Sequence, residues 1–206
     1  MIAHELHRSG SFWSFLLSID KDLADSTRQQ GCSCRGRLHC ANYPRAPRGG
    51  PDHLPEEYRC RFSFCCDRDG CRKRMTPPSV RFLGRKVYLG AVVILISAMR
   101  QGPTPRRVHE LSTLFNVDRA TVARWQAFWR DYIPQTPFWK LARGRVVPVV
   151  EIVVLPLSLL DAFHRTKDPC QDWGYLLRFL SPLSVPSTPL IKMMVSVRPN
   201  HPWQPW

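Results

Sequence analysis

Acidic side chains are in short supply. The chain carries 16 Asp and Glu against 30 Lys and Arg, a formal net charge of +14 over 206 residues. A balance of this sign argues against a basic partner and points to a polyanion, of which a phosphate backbone is the commonest. Lysine is scarce as well, with 6 residues against 24 Arg. Arginine suits bidentate contacts to phosphate and guanine, but GC-rich coding produces the same ratio, so the ratio decides little. No apolar run is long. The most apolar stretch, residues 87–99 (VYLGAVVILISAM), lies between Arg85–Lys86 and Arg100 and falls short of the ~20 residues a spanning helix requires. It reads as a buried core helix. A secretory leader is also missing: MIAHELHRSG carries acidic and His residues, and residues 12–19 run into Asp20, Asp22 and Asp25 with no small-residue cleavage site. The expectation is a cytoplasmic, nucleoid-associated protein with no membrane partner. There is no Ser/His/Asp motif, no Gly-rich phosphate loop and no H-E-x-x-H. No catalytic residue is therefore expected, and the chain reads as a non-enzyme.

What is present is unevenly placed. Residues 1–27 are net −2, residues 28–86 net +9, residues 87–145 net +6 and residues 146–206 net +1. The basic excess thus falls on two stretches, one rich in cysteine and one with helical periodicity.

The helical stretch is residues 104–132, TPRRVHELSTLFNVDRATVARWQAFWRDY. Pro103 and Pro105 mark an entry, where proline is tolerated in a first turn. Val108, Leu111, Leu114 and Phe115 recur at helical spacing. Asn116 then tolerates the left-handed conformation of a sharp turn, Val117 is its apolar plug, and Asp118 is a good cap for a second helix. Val122, Trp125 and Trp129 make the inward face of that helix. Arg119, Ala120, Thr121, Ala123 and Arg124 remain near its outward face, where a helix-turn-helix presents side chains to base edges. Arg119, Thr121, Ala123 and Arg124 are the expected base readers, and Arg106, Arg107 and Arg130 the expected phosphate contacts. A helical hairpin with no role in DNA binding has the same apolar spacing. The Asn-Val-Asp turn, the Arg- and Thr-rich start of the second helix and the basic surroundings favour the first reading.

Seven of the eight cysteines lie between positions 32 and 71. Cys32-x-Cys34 opens the segment and Cys66-x4-Cys71 closes it. Between them come a Pro- and Gly-rich loop (42–56), an alternating stretch YRCRFSF (58–64) that reads as a half-exposed strand, and the turn CCDRDGC (65–71). Two tight turns can each present a thiolate pair to a tetrahedral zinc, and Arg35, Arg37, Arg68, Arg72, Lys73 and Arg74 supply positive surroundings. Cys32, Cys34, Cys66 and Cys71 are the expected ligands of a structural Zn2+, with Cys65 the first substitute and Cys40, Cys60 and His39 further candidates. A disulfide framework or buried free thiols remain the alternatives.

Elsewhere, residues 12–30 carry a stripe of Phe15, Ile19 and Leu23 that predicts a helix stopped by Gly31. This helix is acidic and should pack on protein rather than on DNA. Two short helices are expected at LPLSLLDAFHR and CQDWGYLLRFL, followed by a Pro- and Ser-rich tail beyond Pro182. The fold class is mainly α with a small β zinc ribbon and a three-helical helix-turn-helix core. The expected organisation is an N-terminal helix (1–30), a zinc-ribbon-like Cys cluster (31–82), a helix-turn-helix domain (83–139) and a poorly specified helical, Pro-rich tail (140–206).

The segments GCSCRGRLH (31–39), FCCDRDGCRKR (64–74), PPSVRFLGRKVYLGAVV (77–93) and ELSTLFNVDRATVARW (110–125) together resemble the N-terminal DNA-binding region of bacterial insertion-sequence transposases, across about 31–139. The resemblance implies a zinc ribbon and helix-turn-helix that bind an element's terminal repeats, with Cys32, Cys34, Cys66 and Cys71 matching the metal pairs. Cys32-x-Cys34 is one residue shorter than that family's usual C-x2-C. A transposase also needs three catalytic carboxylates. After residue 139 only Glu151, Asp161, Asp168 and Asp172 are acidic, and they read as solvated surface charge. The expected function is sequence-selective binding of double-stranded DNA without a catalytic domain, with a homodimer or a catalytic transposase as further partner. A transcription-regulator-like protein, and a module binding protein or RNA, are the other readings.

Overall fold

The computed structural model of the chain describes residues 9–51, 54–84, 86–99, 109, 113–146 and 150–185. It is mostly helical with a small antiparallel sheet. The first helix, α1 (Gly10–Gln30), is capped by the Ser9 hydroxyl, which accepts from the Phe12 N–H, and stops at Gly31, whose φ of 68° suits glycine. Its buried face is centred on Phe12, Leu16, Ile19 and Asp20, with Phe15 and Leu23 only half-buried at its margins. The expected stripe is thus displaced, because an acidic residue sits in the middle of the buried face.

The Cys-rich segment folds into short strands. β1 (Leu38–Cys40), β4 (Phe64–Cys66) and β5 (Arg74–Met75) form an antiparallel sheet in the order β1–β4–β5, with Leu38 opposite Cys66 and Phe64 opposite Met75. β2 (Tyr43–Pro44) pairs separately with β3 (Cys60–Arg61). The single strand expected at 58–64 does not form. Tyr58 ends up in a 3-10 turn, Glu56–Arg59, and the extended chain is divided into β3 and β4. The physical reason is Arg61: in an alternating strand it would face water, but here its side chain is fully enclosed and its Nη2 donates to the Pro77 carbonyl at 2.5 Å.

The apolar helix is α2 (Gly90–Met99), and Ala91, Val92, Val93, Ile94, Leu95, Ile96 and Ala98 are all buried. It begins later than expected because the residues before it pair with other chain segments: Tyr88 bridges to Arg48, and Leu89 to Phe82. Ten residues rise about 15 Å, half a bilayer core, and among the described residues no helix is long and apolar enough to cross a membrane. α3 (Arg119–Ala127) runs on into a π-helical turn, Phe128–Tyr132. α4 (Pro137–Ala142) follows, capped by the Thr136 hydroxyl. The two C-terminal helices expected from the sequence are α5 (Leu157–Phe163) and α6 (Pro169–Leu180).

α1, α2, α3, α4, α5 and α6 share one apolar core. Phe12 meets Trp173 edge-on at 6.4 Å, joining the two ends of the described chain. Residues 150–185 are thus integral to the core, through Leu159, Phe163, Leu176, Leu177 and Leu180.

One polar network crosses this core. Arg81 Nε donates to Asp20 Oδ2 at 2.6 Å, and neither side chain is exposed. Asp20 also accepts from the Ser79 hydroxyl (2.5 Å) and the Val80 N–H (2.6 Å), while Arg81 donates to the Glu57 and Cys60 carbonyls. Removing one partner of a buried pair strands the other charge. Asp20→Ala should therefore lower unfolding stability by about 3–5 kcal/mol. Urea denaturation followed by circular dichroism checks this; a loss below 1 kcal/mol would mean the pair is not holding the segments together.

Candidate metal centre

Two knuckles meet at the open end of the three-stranded sheet. The first is the turn between α1 and β1, closed by the Arg35 N–H donating to the Cys32 carbonyl at 2.8 Å, with Arg35 at φ 66°. The second is the β4–β5 turn. There the Cys71 and Arg72 N–H groups both donate to the Arg68 carbonyl, Gly70 takes φ 80°, and Arg72 takes φ 42°. Arg68 clips the knuckles together, its Nη1 donating to the Cys34 carbonyl at 2.6 Å.

The turns bring four thiols into one volume. The Sγ atoms of Cys32, Cys34, Cys66 and Cys71 all lie within 4.8 Å of one another. Cys34 and Cys66 are 3.4 Å apart and Cys32 and Cys71 3.7 Å apart. A tetrathiolate zinc with bonds of about 2.3 Å has sulfur–sulfur edges of roughly 3.8 Å, so the donor set fits such an ion. The Gly36 N–H donates to Cys34 Sγ at 3.4 Å, the kind of bond that offsets charge on a thiolate. Gly36 itself is required here: a Cβ at that position would stand 2.5 Å from Cys66 Sγ and 3.1 Å from Arg68 Cβ.

Crowding also splits the thiols' proton affinities. The Cys34 N–H, aided by the neighbouring thiols and opposed by burial, holds Cys32 down to about 6. At Cys66 the Arg68 N–H pulls downward, but burial and the bonds from Cys34, Cys32 and Cys71 outweigh it, and the group is pushed up to about 12. Cys71 is raised too: the Lys73 N–H lowers it, but the bonds from Cys34 and Cys32 and burial prevail. A central cation would favour the thiolate form of all four. All four coordination positions would be filled by protein, which makes such an ion structural and leaves it no open site for chemistry.

The other candidates lie elsewhere. Cys65 turns its thiol to the Arg72 and Cys66 carbonyls. His39 Nε2 faces Asp67 at 3.5 Å. Cys40 is exposed, Cys60 is half-buried, and neither joins the four-thiol group. None of the eight cysteines is joined in a disulfide, so that alternative is not realised.

The second basic stretch is placed as follows. Asn116 takes φ 49°, Val117 is buried, and Asp118 caps α3 by accepting from the Thr121 N–H at 2.6 Å. The Tyr88 hydroxyl donates to the Asn116 carbonyl, and the Tyr88 ring meets Trp125 edge-on at 5.1 Å, docking the turn beside α2. Arg119, Ala120, Ala123 and Arg124 are exposed on α3, opposite buried Val122, Trp125 and Trp129. Thr121 differs from the expected base readers. It is enclosed, and its hydroxyl donates to Asp118 Oδ2 and accepts from Arg124 Nη2. Cap geometry at the third helical position turns a hydroxyl back toward the cap, which sequence spacing alone did not resolve. Arg130 is exposed and forms a two-point pair with Asp131. Arg106 and Arg107, with Val108 and Leu111, lie outside the described residues.

No family model, no curated protein and no solved structure matches the chain.

Protein purified without added metal should carry one zinc per chain by elemental analysis, with four thiols protected from titration until a chelator is added. Under half an equivalent of metal, with all eight cysteines reactive, would refute the site. Gly36→Ala should weaken metal retention at least tenfold in a chelator competition, since its methyl group and Cys66 Sγ cannot both keep their places.

Proposed function

We propose that the chain binds double-stranded DNA through α3, as a helix-turn-helix recognition helix, with the zinc-holding sheet as a structural support. The observation that carries the reading is the turn before α3. A left-handed Asn116, a buried Val117 and an Asp118 cap lead into a helix whose outward residues are Arg119, Ala120, Ala123 and Arg124. Its opposite side is anchored on Val122, Trp125 and Trp129. A helix start with small and cationic side chains outward and large aromatics inward can enter a major groove without steric conflict. Charge supports the same partner: the basic excess of the sequence falls on 28–145, the span that holds the thiol knuckles and α3. A transposase-derived or regulator-like setting is part of the proposal; a gene lying between inverted repeats would favour the former.

In this reading Arg119 reads a base edge near the start of the helix. Its exposed side chain suits the bidentate contact of Arg with guanine. A selected duplex should bind more tightly than a random one, with affinity falling steeply as salt rises. Arg119→Ala should cost about 1–3 kcal/mol on the selected duplex and relax preference at one position. Fluorescence anisotropy against selected and random duplexes provides the measurement. Equal binding of both duplexes by the folded parent, or no binding at all, would leave α3 as an ordinary packed helix.

A further inference from the structure

A cation that the sequence did not single out stands beside α3. Lys86 belongs to the segment before α2, and its backbone is fixed at both ends: its N–H donates to the Leu83 carbonyl, and its carbonyl accepts from Arg45 Nη2 at 3.2 Å. Its side chain crosses to α3, where Nζ lies 4.0 Å from the centroid of the Phe128 ring. Phe128 is stacked in turn on Tyr132, 5.3 Å away and 20° from parallel, and Tyr132 is largely exposed. Arg124 lies one turn before Phe128 on the same helix. Partial burial of Lys86, and to a lesser degree the charge of Arg124, push the Lys86 ammonium below its ordinary range.

Lys86 and Arg124 thus both border Phe128, one over its ring and the other one helical turn before it. Among the described residues no ion pair involves Lys86 or Arg124. The carboxylate that feels the Arg124 charge, Asp118, is committed to the Thr121 N–H and hydroxyl as the helix cap. Arg124 donates from Nη2 to the Thr121 hydroxyl at 2.6 Å, which orients the guanidinium. Lys86 is steered by an aromatic face, which attracts the ammonium without neutralising it.

We propose that Lys86, held over the Phe128 ring, and Arg124 form a seat for one backbone phosphate of duplex DNA. The proposal rests on α3 being the DNA-facing helix. Arg124 then belongs with the backbone contacts rather than with the base readers. The seat combines a point charge with an oriented fork from two separate elements. It lies one to two turns beyond Arg119, where contacts that set orientation flank those that read bases.

The test uses the full chain and two readouts. In duplex titrations at several salt concentrations, Lys86→Gln should weaken selected and random duplexes alike and lower the salt slope by about 0.9. Lys86→Arg should keep the parent slope, and Arg119→Ala should lose preference for the selected duplex. In the free protein, inorganic phosphate should shift the Arg124 Nε resonance in the parent and not in Lys86→Gln. If the parent binds duplex and Lys86→Gln keeps its slope, the seat is wrong while the DNA reading stands. If the parent binds no duplex, the DNA reading fails, and an Arg124 resonance indifferent to phosphate overturns the seat as well.

Discussion

The buried pair between Asp20 and Arg81 is the constraint on which the remaining structure depends. It joins the middle of α1 to the segment that leads into α2, and through the Glu57 and Cys60 carbonyls it reaches the entry to β3. Two charges withdrawn from water cost several kcal/mol each unless their other valences are filled. Here Asp20 takes three donors and Arg81 satisfies two backbone carbonyls besides the carboxylate. The pair therefore orients three segments at once, and the apolar packing of Phe12 and Ile19 against α6 follows from where it holds α1.

Arg61 shows what the same burial does without a carboxylate. Its guanidinium is enclosed, and Nε and Nη1 have no hydrogen-bond partner among the described residues. It shares the Phe82 ring with Arg45 and Arg81, at 5.5, 4.3 and 5.3 Å from the centroid. Burial pushes its affinity for the proton down to about 10, with Asp20 opposing and the two neighbouring arginines adding to the shift. The flat ring face attracts the guanidinium planes without supplying a countercharge.

The cysteine module has a different economy. Its separate cluster contains Ala24, Cys32, Leu38, Phe64 and Cys66, with Phe62 bridging to the main core. Two of those five residues belong to the four-thiol group. A cluster this small buries little apolar surface, so cross-linking of the knuckles by a metal would provide much of its cohesion. The sheet in turn fixes the register that sets Leu38 opposite Cys66, and with it the distance between the thiol pairs.

What the sequence by itself determined was local. The stop at Gly31, the turn after Cys66 (Cys65 and Cys66 themselves belong to β4), the Asp118 cap, the left-handed Asn116 and the inward Val122, Trp125 and Trp129 each follow from a few adjacent residues, whose backbone preferences act over one or two turns. The choice of Cys32, Cys34, Cys66 and Cys71 as a group was legible too, since turn chemistry surrounds both pairs. Only the tertiary structure decided matters set by residues far apart in the chain. Asp20 and Arg81 are 61 positions apart, so nothing near either one marks it as buried, and a charged residue read alone is placed in water. The same holds for Arg61, whose enclosure split an expected strand, and for Lys86, whose neighbour Phe128 is on another element. Burial is a property of the surfaces that meet, and hydrophobic periodicity along one segment cannot report which surface arrives from elsewhere.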